Sequence, residues 1–167
     1  MTPEYQVYLA KLVDYLSING FQLSRDVEVG GYRADVVGLR EKFGFSLFSA
    51  PKKQFVCFLT YQPNASVALA NAFTESSESM ARLRYWSGGM HAQLVFPVIV
   101  SLKFDPDIVQ FVENFEPKYL SREVARFPHP VFVELETKSV YHRKDLMMGA
   151  FGYRNLINKF VRDAFTP

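Results

Sequence analysis

The sequence predicts an α/β fold, a mixed central sheet flanked by helices, and three stretches carry that reading. Residues 54–61 are apolar on both faces of an extended chain, which suits a strand covered on both sides. Tyr5, Tyr8, Leu9, Leu12, Val13 and Leu16 recur with the 3.6-residue period of a helix. Gly30-Gly31 separates two alternating stretches, the pattern of a hairpin closed by a two-residue turn. The 167 residues fit one domain, residues 1–167. A chain of that size buries roughly two thirds of its unfolded surface without disulfides or metal.

The first helix has a start and a stop. Thr2 is placed to cap it, Pro3 takes the first helical position, and Glu4 suits the positive end. Gly20 ends it, and Phe21 can fold back on the last turn. The hairpin follows over 23–29 and 32–39. Its two-residue turn pairs Val29 with Tyr32, Glu28 with Arg33 and Asp26 with Asp35. Alternation then puts Val27, Val29, Tyr32, Ala34 and Val36 on one face, and Asp26, Glu28, Arg33 and Asp35 on the other.

Residues 40–53 read as a charged connection with a short strand at 45–48. After the 54–61 strand, Gln62-Pro63-Asn64 breaks the chain. A Ser66 cap opens a long helix to about residue 86, stopped by Gly88-Gly89. Leu69, Phe73, Met80 and Leu83 form its expected buried stripe, and its serine-rich middle, 74–79, is where it would break. Residues 92–102 form another central strand in which Pro97, lacking an N–H, predicts a bulge or an edge. Asp105-Pro106 opens a short helix with Ile108, Val109 and Val112. Residues 116–127 are weakly amphipathic, 131–141 alternate as one half-buried strand, and 152–164 form the last helix. The chain has no internal repeat and no low-complexity run.

Composition narrows the function classes. Apolar residues make up 49%, with 16 Phe and 9 Tyr, enough for a rich core and for aromatic surface left to a partner, including a second copy in a homodimer. Lys and Arg number 19 against 17 Asp and Glu; net +2 is no electrostatic footprint for nucleic acid, although a local basic patch stays open. The lone Cys57, in an apolar run, reads as a buried thiol and gives neither a disulfide nor a zinc motif. The N-terminus lacks a basic region followed by an apolar stretch, and no apolar run approaches the ~20 residues of a membrane span. These features predict a cytoplasmic chain with no membrane partner.

The order helix, three strands, helix, strand over the first hundred residues resembles the core of the restriction-endonuclease-like, PD-(D/E)xK superfamily. Arg33-Ala34-Asp35-Val36-Val37-Gly38 carries the resemblance, with Phe55-Val56-Cys57-Phe58-Leu59-Thr60 behind it. The resemblance implies a magnesium-dependent nuclease site in which Asp35 is the first acid. A second acid would help hold the metal, and a lysine would polarise the water or the phosphate; magnesium accepts oxygen ligands, and phosphodiester chemistry needs such a clamp. The positions of that acid and lysine fall near Phe58 and Thr60, and neither side chain replaces what is missing. Ala34 stands where the family often has proline.

Relocated acids are the alternative. Asp26, Glu28 and Asp35 share one face of the predicted hairpin, where like charges opposite each other need a cation, Arg33 or a metal. Otherwise they form a solvated face with a Glu28–Arg33 pair. Glu134-Leu135-Glu136-Thr137-Lys138 contains a literal Glu-x-Lys, but far beyond the family spacing, and reads as a charged strand face. His91, His129 and His142 stand in no ligand spacing, although folding could unite two of them. Arg82, Arg84, Tyr85 and Trp86 form an aromatic-basic cluster able to stack bases or grip phosphate, or simply to complete a helix end. The residues together predict a non-catalytic, nuclease-like domain acting as a binding or regulatory module without a cofactor. A magnesium-dependent nuclease using Asp35 with Asp26 or Glu28, and a small-molecule-binding protein with an aromatic pocket, are the alternatives.

Overall fold

The structure is a computed structural model and describes residues 2–43, 52–85, 91–116, 126–145 and 153–167. In chain order the elements are α1 (Pro3–Ile18), β1 (Gln22–Val29), β2 (Tyr32–Phe43), β3 (Lys52–Tyr61), α2 (Val67–Arg84), β4 (His91–Ser101), α3 (Pro106–Glu113), β5 (Arg126–Pro128), β6 (Val131–Glu134), β7 (Ser139–Tyr141) and α4 (Arg154–Phe165). The strands form one mixed sheet in the order β1-β2-β3-β4-β6-β7, with β5 on β4 ahead of β6. β1, β2 and β3 are antiparallel; β3, β5 and β6 run parallel to β4; β7 returns antiparallel to β6.

Helices cover both faces. Tyr5, Tyr8, Leu12 and Leu16 of α1 and Ile157, Phe160, Val161 and Phe165 of α4 pack on one face, against Cys57, Leu59, Phe96 and Val98. Phe73 and Ala81 of α2 and Ile108 and Val112 of α3 pack on the other, against Val56, Phe58, Val95 and Ile99. The aromatic surplus goes inside: Phe96 and Phe160 have ring centroids 4.9 Å apart, Phe55 and Phe160 5.2 Å. The expected aromatic surface is not found among the described residues, whose exposed large hydrophobics are the aliphatic Val7, Ile18, Val67, Leu83 and Leu102.

Local signals explain the ends of α1 and α2. Tyr5 N donates to Thr2 Oγ1 at 3.3 Å, and Leu69 N to Ser66 Oγ at 3.2 Å. Gly20 has φ +76°, and Phe21 N returns to the Leu16 carbonyl at 3.0 Å. α2 runs unbroken through its serine-rich middle. Thr74 and Ser77 turn inward, and Thr74 Oγ1 donates back to the Ala70 carbonyl at 2.7 Å. The buried stripe is Ala70, Phe73, Thr74, Ser77 and Ala81; of the residues expected there, Phe73 is fully buried, Leu69 and Met80 pack partly buried beside it, and Leu83 is 77% exposed.

The hairpin has the register that its turn dictates, Val29 with Tyr32 and Glu28 with Arg33. Gly30 and Gly31 have φ +56° and +86°, the left-handed pair that a type I′ turn requires. Gly30 also lies against α2: a Cβ there would clash with Ser76 Oγ, whereas the same atom on Gly31 meets open space. Gly30→Ala is expected to cost about 2 kcal/mol more than Gly31→Ala in urea unfolding, because only the first adds overpacking to backbone strain. Equal midpoints for the two variants would contradict this contact.

One expectation about faces is corrected. Ala34 packs on the α2 side, but Val36 packs on the α1 side, and on β1 Val27 and Leu23 divide the same way. Both strands change phase between those residues while keeping register, Val27 with Ala34 and Arg25 with Val36. Asp26 has φ +54° at this point, and its left-handed backbone rotates the following side chains.

The Pro97 expectation resolves in β4's neighbour. The Val95 carbonyl accepts from His129 N at 2.7 Å on the outer side, and the Val100 carbonyl accepts from Gln62 N at 2.8 Å on the β3 side. Pro97, two residues after Val95, therefore turns its missing N–H to the outer side, where His129-Pro130 separates β5 from β6. A further correction concerns 131–141, which is a hairpin of β6 and β7, turning at 135–138 with Lys138 at φ +55°. Among the described residues no helix is long and apolar enough to cross a membrane. The expected strand at 45–48, Trp86, Gly88-Gly89 and 117–125 of the weakly amphipathic stretch lie outside the described residues.

Candidate functional site

Asp35 sits where β2 leaves β3. The ladder between them reaches Val36 with Leu59, and beyond it the Asp35 side chain takes over. Asp35 Oδ2 accepts from the Tyr61 backbone N–H at 3.0 Å and from the Tyr5 hydroxyl at 2.6 Å. The Tyr5 and Tyr61 rings lie against each other, centroids 4.6 Å apart. Burial, then the hydrogen bond and charge of Asp35, push the Tyr5 phenol above its ordinary range, so it remains a donor. The carboxylate thus ties the first turn of α1 to the ends of two strands.

The two other motif positions are elsewhere. Phe58 is fully buried on the α2 side. Thr60 is 2% exposed; its Oγ1 donates to the Arg33 carbonyl at 2.9 Å and accepts from Gln62 Nε2 at 3.0 Å. Asp35 reaches toward α1, whose face of β3 carries Cys57, Leu59 and Tyr61. The motif read one residue along therefore meets no acid and no lysine either.

The acids of the hairpin separate. Arg33 takes Asp26, with Nε 3.1 Å from Asp26 Oδ1, in an exposed pair. Asp26, and to a smaller extent Asp35, raise the Arg33 pKa. Glu28 stands across the ladder from Arg33 and is exposed. Among the described residues no group of three or more His, Cys, Asp and Glu could hold a metal ion. Of the aromatic-basic cluster, Arg82 and Arg84 are exposed at the end of α2; the Tyr85 ring lies 6.4 Å from that of Phe58, and its carbonyl accepts from Gln54 Nε2 at 2.7 Å.

Sequence reasoning missed two buried polar groups and left open a third, the union of two histidines. Gln54 and Gln93 face each other across β3 and β4, with Gln93 Nε2 donating to Gln54 Oε1 at 2.7 Å. Glu134, expected on a charged face, is 4% exposed; it accepts from Phe104 N at 2.9 Å and from Thr137 Oγ1 at 2.6 Å. His129 and His142 meet, Nε2 to Nδ1, at 3.0 Å. Burial, then His142 and Arg143, push His129 down to about 3; burial leads the lowering at His142. The two rings flank the β6–β7 hairpin, so reading 131–141 as a hairpin is the signal that would have brought them together.

Comparison with family models, curated proteins and solved structures finds no match.

Proposed function

We propose that this chain is a non-catalytic domain with a restriction-endonuclease-like core, acting as a binding or regulatory module. The architecture supports the resemblance: a helix, three antiparallel strands, a helix on the opposite face, then a strand parallel to the third. One observation carries the non-catalytic reading. Asp35 Oδ2 is engaged by Tyr5 and Tyr61, and neither face of β3 near it offers a second acid or a lysine. A metal-dependent nuclease needs such groups converging on the phosphate.

The purified protein is expected to leave plasmid DNA and RNA intact in magnesium or manganese, and magnesium is expected to leave its melting temperature unchanged. The decisive control is Asp35→Asn, which keeps an oxygen to accept from Tyr5 or Tyr61 but loses the charge. Cleavage that this folded variant lacks, or a saturable magnesium-specific rise in melting temperature that it abolishes, would overturn the proposal. Either result would favour a metal site built from Asp35 with Asp26 or Glu28.

A further inference from the structure

A cleft of about 400 Å³ opens between the β6–β7 hairpin and α4, at the opposite edge of the sheet from the β1–β2 hairpin. Two periodicities build it. Val140, His142 and Lys144 recur every second residue along the chain that leaves the β6–β7 turn, and Lys138 stands in that turn. Asn158, Arg162 and Thr166 recur every fourth residue and present one face of α4 and its C-cap. The lining carries three permanent cations and no carboxylate. Arg162 shares its Nε with the neighbouring Asp163 at 3.0 Å; Lys138 and Lys144 have no carboxylate partner among the described residues. Asn158 Oδ1 is buried without a hydrogen-bond partner, while its Nδ2 makes a 3.4 Å contact with the Lys144 carbonyl.

We propose that this cleft binds a small phosphorylated ligand, its phosphate held by Lys138, Lys144 and Arg162. Two lysines without counter-charges beside a third cation favour a multiply charged oxyanion. The cleft has the size of small-molecule sites. The inference is independent of the nuclease-like reading, since no residue of the Asp35 cluster lines the cleft.

The test titrates inorganic phosphate and glycerol 3-phosphate into the full chain at constant ionic strength, following melting temperature and the NMR signals of the Asn158 amide and the His142 ring. Both probes are expected to saturate. Lys138→Glu and Lys144→Glu, both at exposed positions, are each expected to weaken binding roughly tenfold or more. Arg25→Glu, on β1, is expected to leave it unchanged. A response matched by sodium chloride, or one unaffected by the two lysine variants, would overturn the proposal. So would co-sedimentation with vesicles containing phosphatidic acid in the absence of any response to the soluble probes, which would assign these lysines to a lipid surface.

Discussion

Phe58→Ala is expected to destabilise the protein by about 3–5 kcal/mol, the range for deleting a large side chain from a packed core. Phe58 has no exposed surface and lies at the middle of β3, paired with Val37 on one side and Pro97 on the other. Its ring faces α2, so the void left by alanine would be closed only by moving the helix or the sheet. Domain stabilities are typically about 5–15 kcal/mol, and this one change would remove a large share. Phe58→Leu retains most of the volume and is expected to cost much less. Urea unfolding of both variants checks the point; an unchanged midpoint in Phe58→Ala would contradict the covered position of β3.

The second large effect is on pH. The unfolded chain protonates His129 near the ordinary value of 6.5, while the folded protein holds it neutral down to about 3. Between those values the unfolded state binds the extra proton, so stability rises with pH and is lost progressively as pH falls below 6.5. One such residue is worth about 1.4 kcal/mol per pH unit, so about 2 kcal/mol disappears by pH 5. His142, lowered in the same direction, adds to the loss. Urea midpoints measured from pH 7.5 to 5 should therefore decline in the native protein and decline less in His129→Asn. If NMR finds the His129 ring titrating near 6.5 in the folded state, the pair is not held neutral and this account fails.

Much of the fold was legible because its signals are local. Thr2, Pro3 and Gly20 delimit α1 within its own sequence, Gly30-Gly31 fixes a register, and the doubly apolar run at 54–61 can only be a covered strand. Legibility stopped where one residue's role depends on a distant one. Alternation over 131–141 is the same whether the chain continues or turns back, and the turn at 135–138 contains no glycine, proline or asparagine to mark it. Ser77 and Thr74 look like solvent-facing helix residues until the sheet beneath them is known. At the candidate site, the sequence placed Asp35 on the correct strand and marked the acid and lysine as missing from β3. It could not supply Tyr5, thirty positions away, as the group that engages the carboxylate.

The left-handed residue in the edge strand has a consequence for self-association. β1 lies at one end of the sheet, eight residues long, and its outer backbone edge could receive a strand from another molecule. An incoming strand must keep one alternation along its whole length to bury a continuous apolar face. Asp26 divides this edge into two short runs whose alternation is opposite, so a partner matched to 27–29 is out of step with 22–25. The kink that lets Leu23 and Val27 serve different cores thus also obstructs edge-to-edge growth of the sheet into fibres.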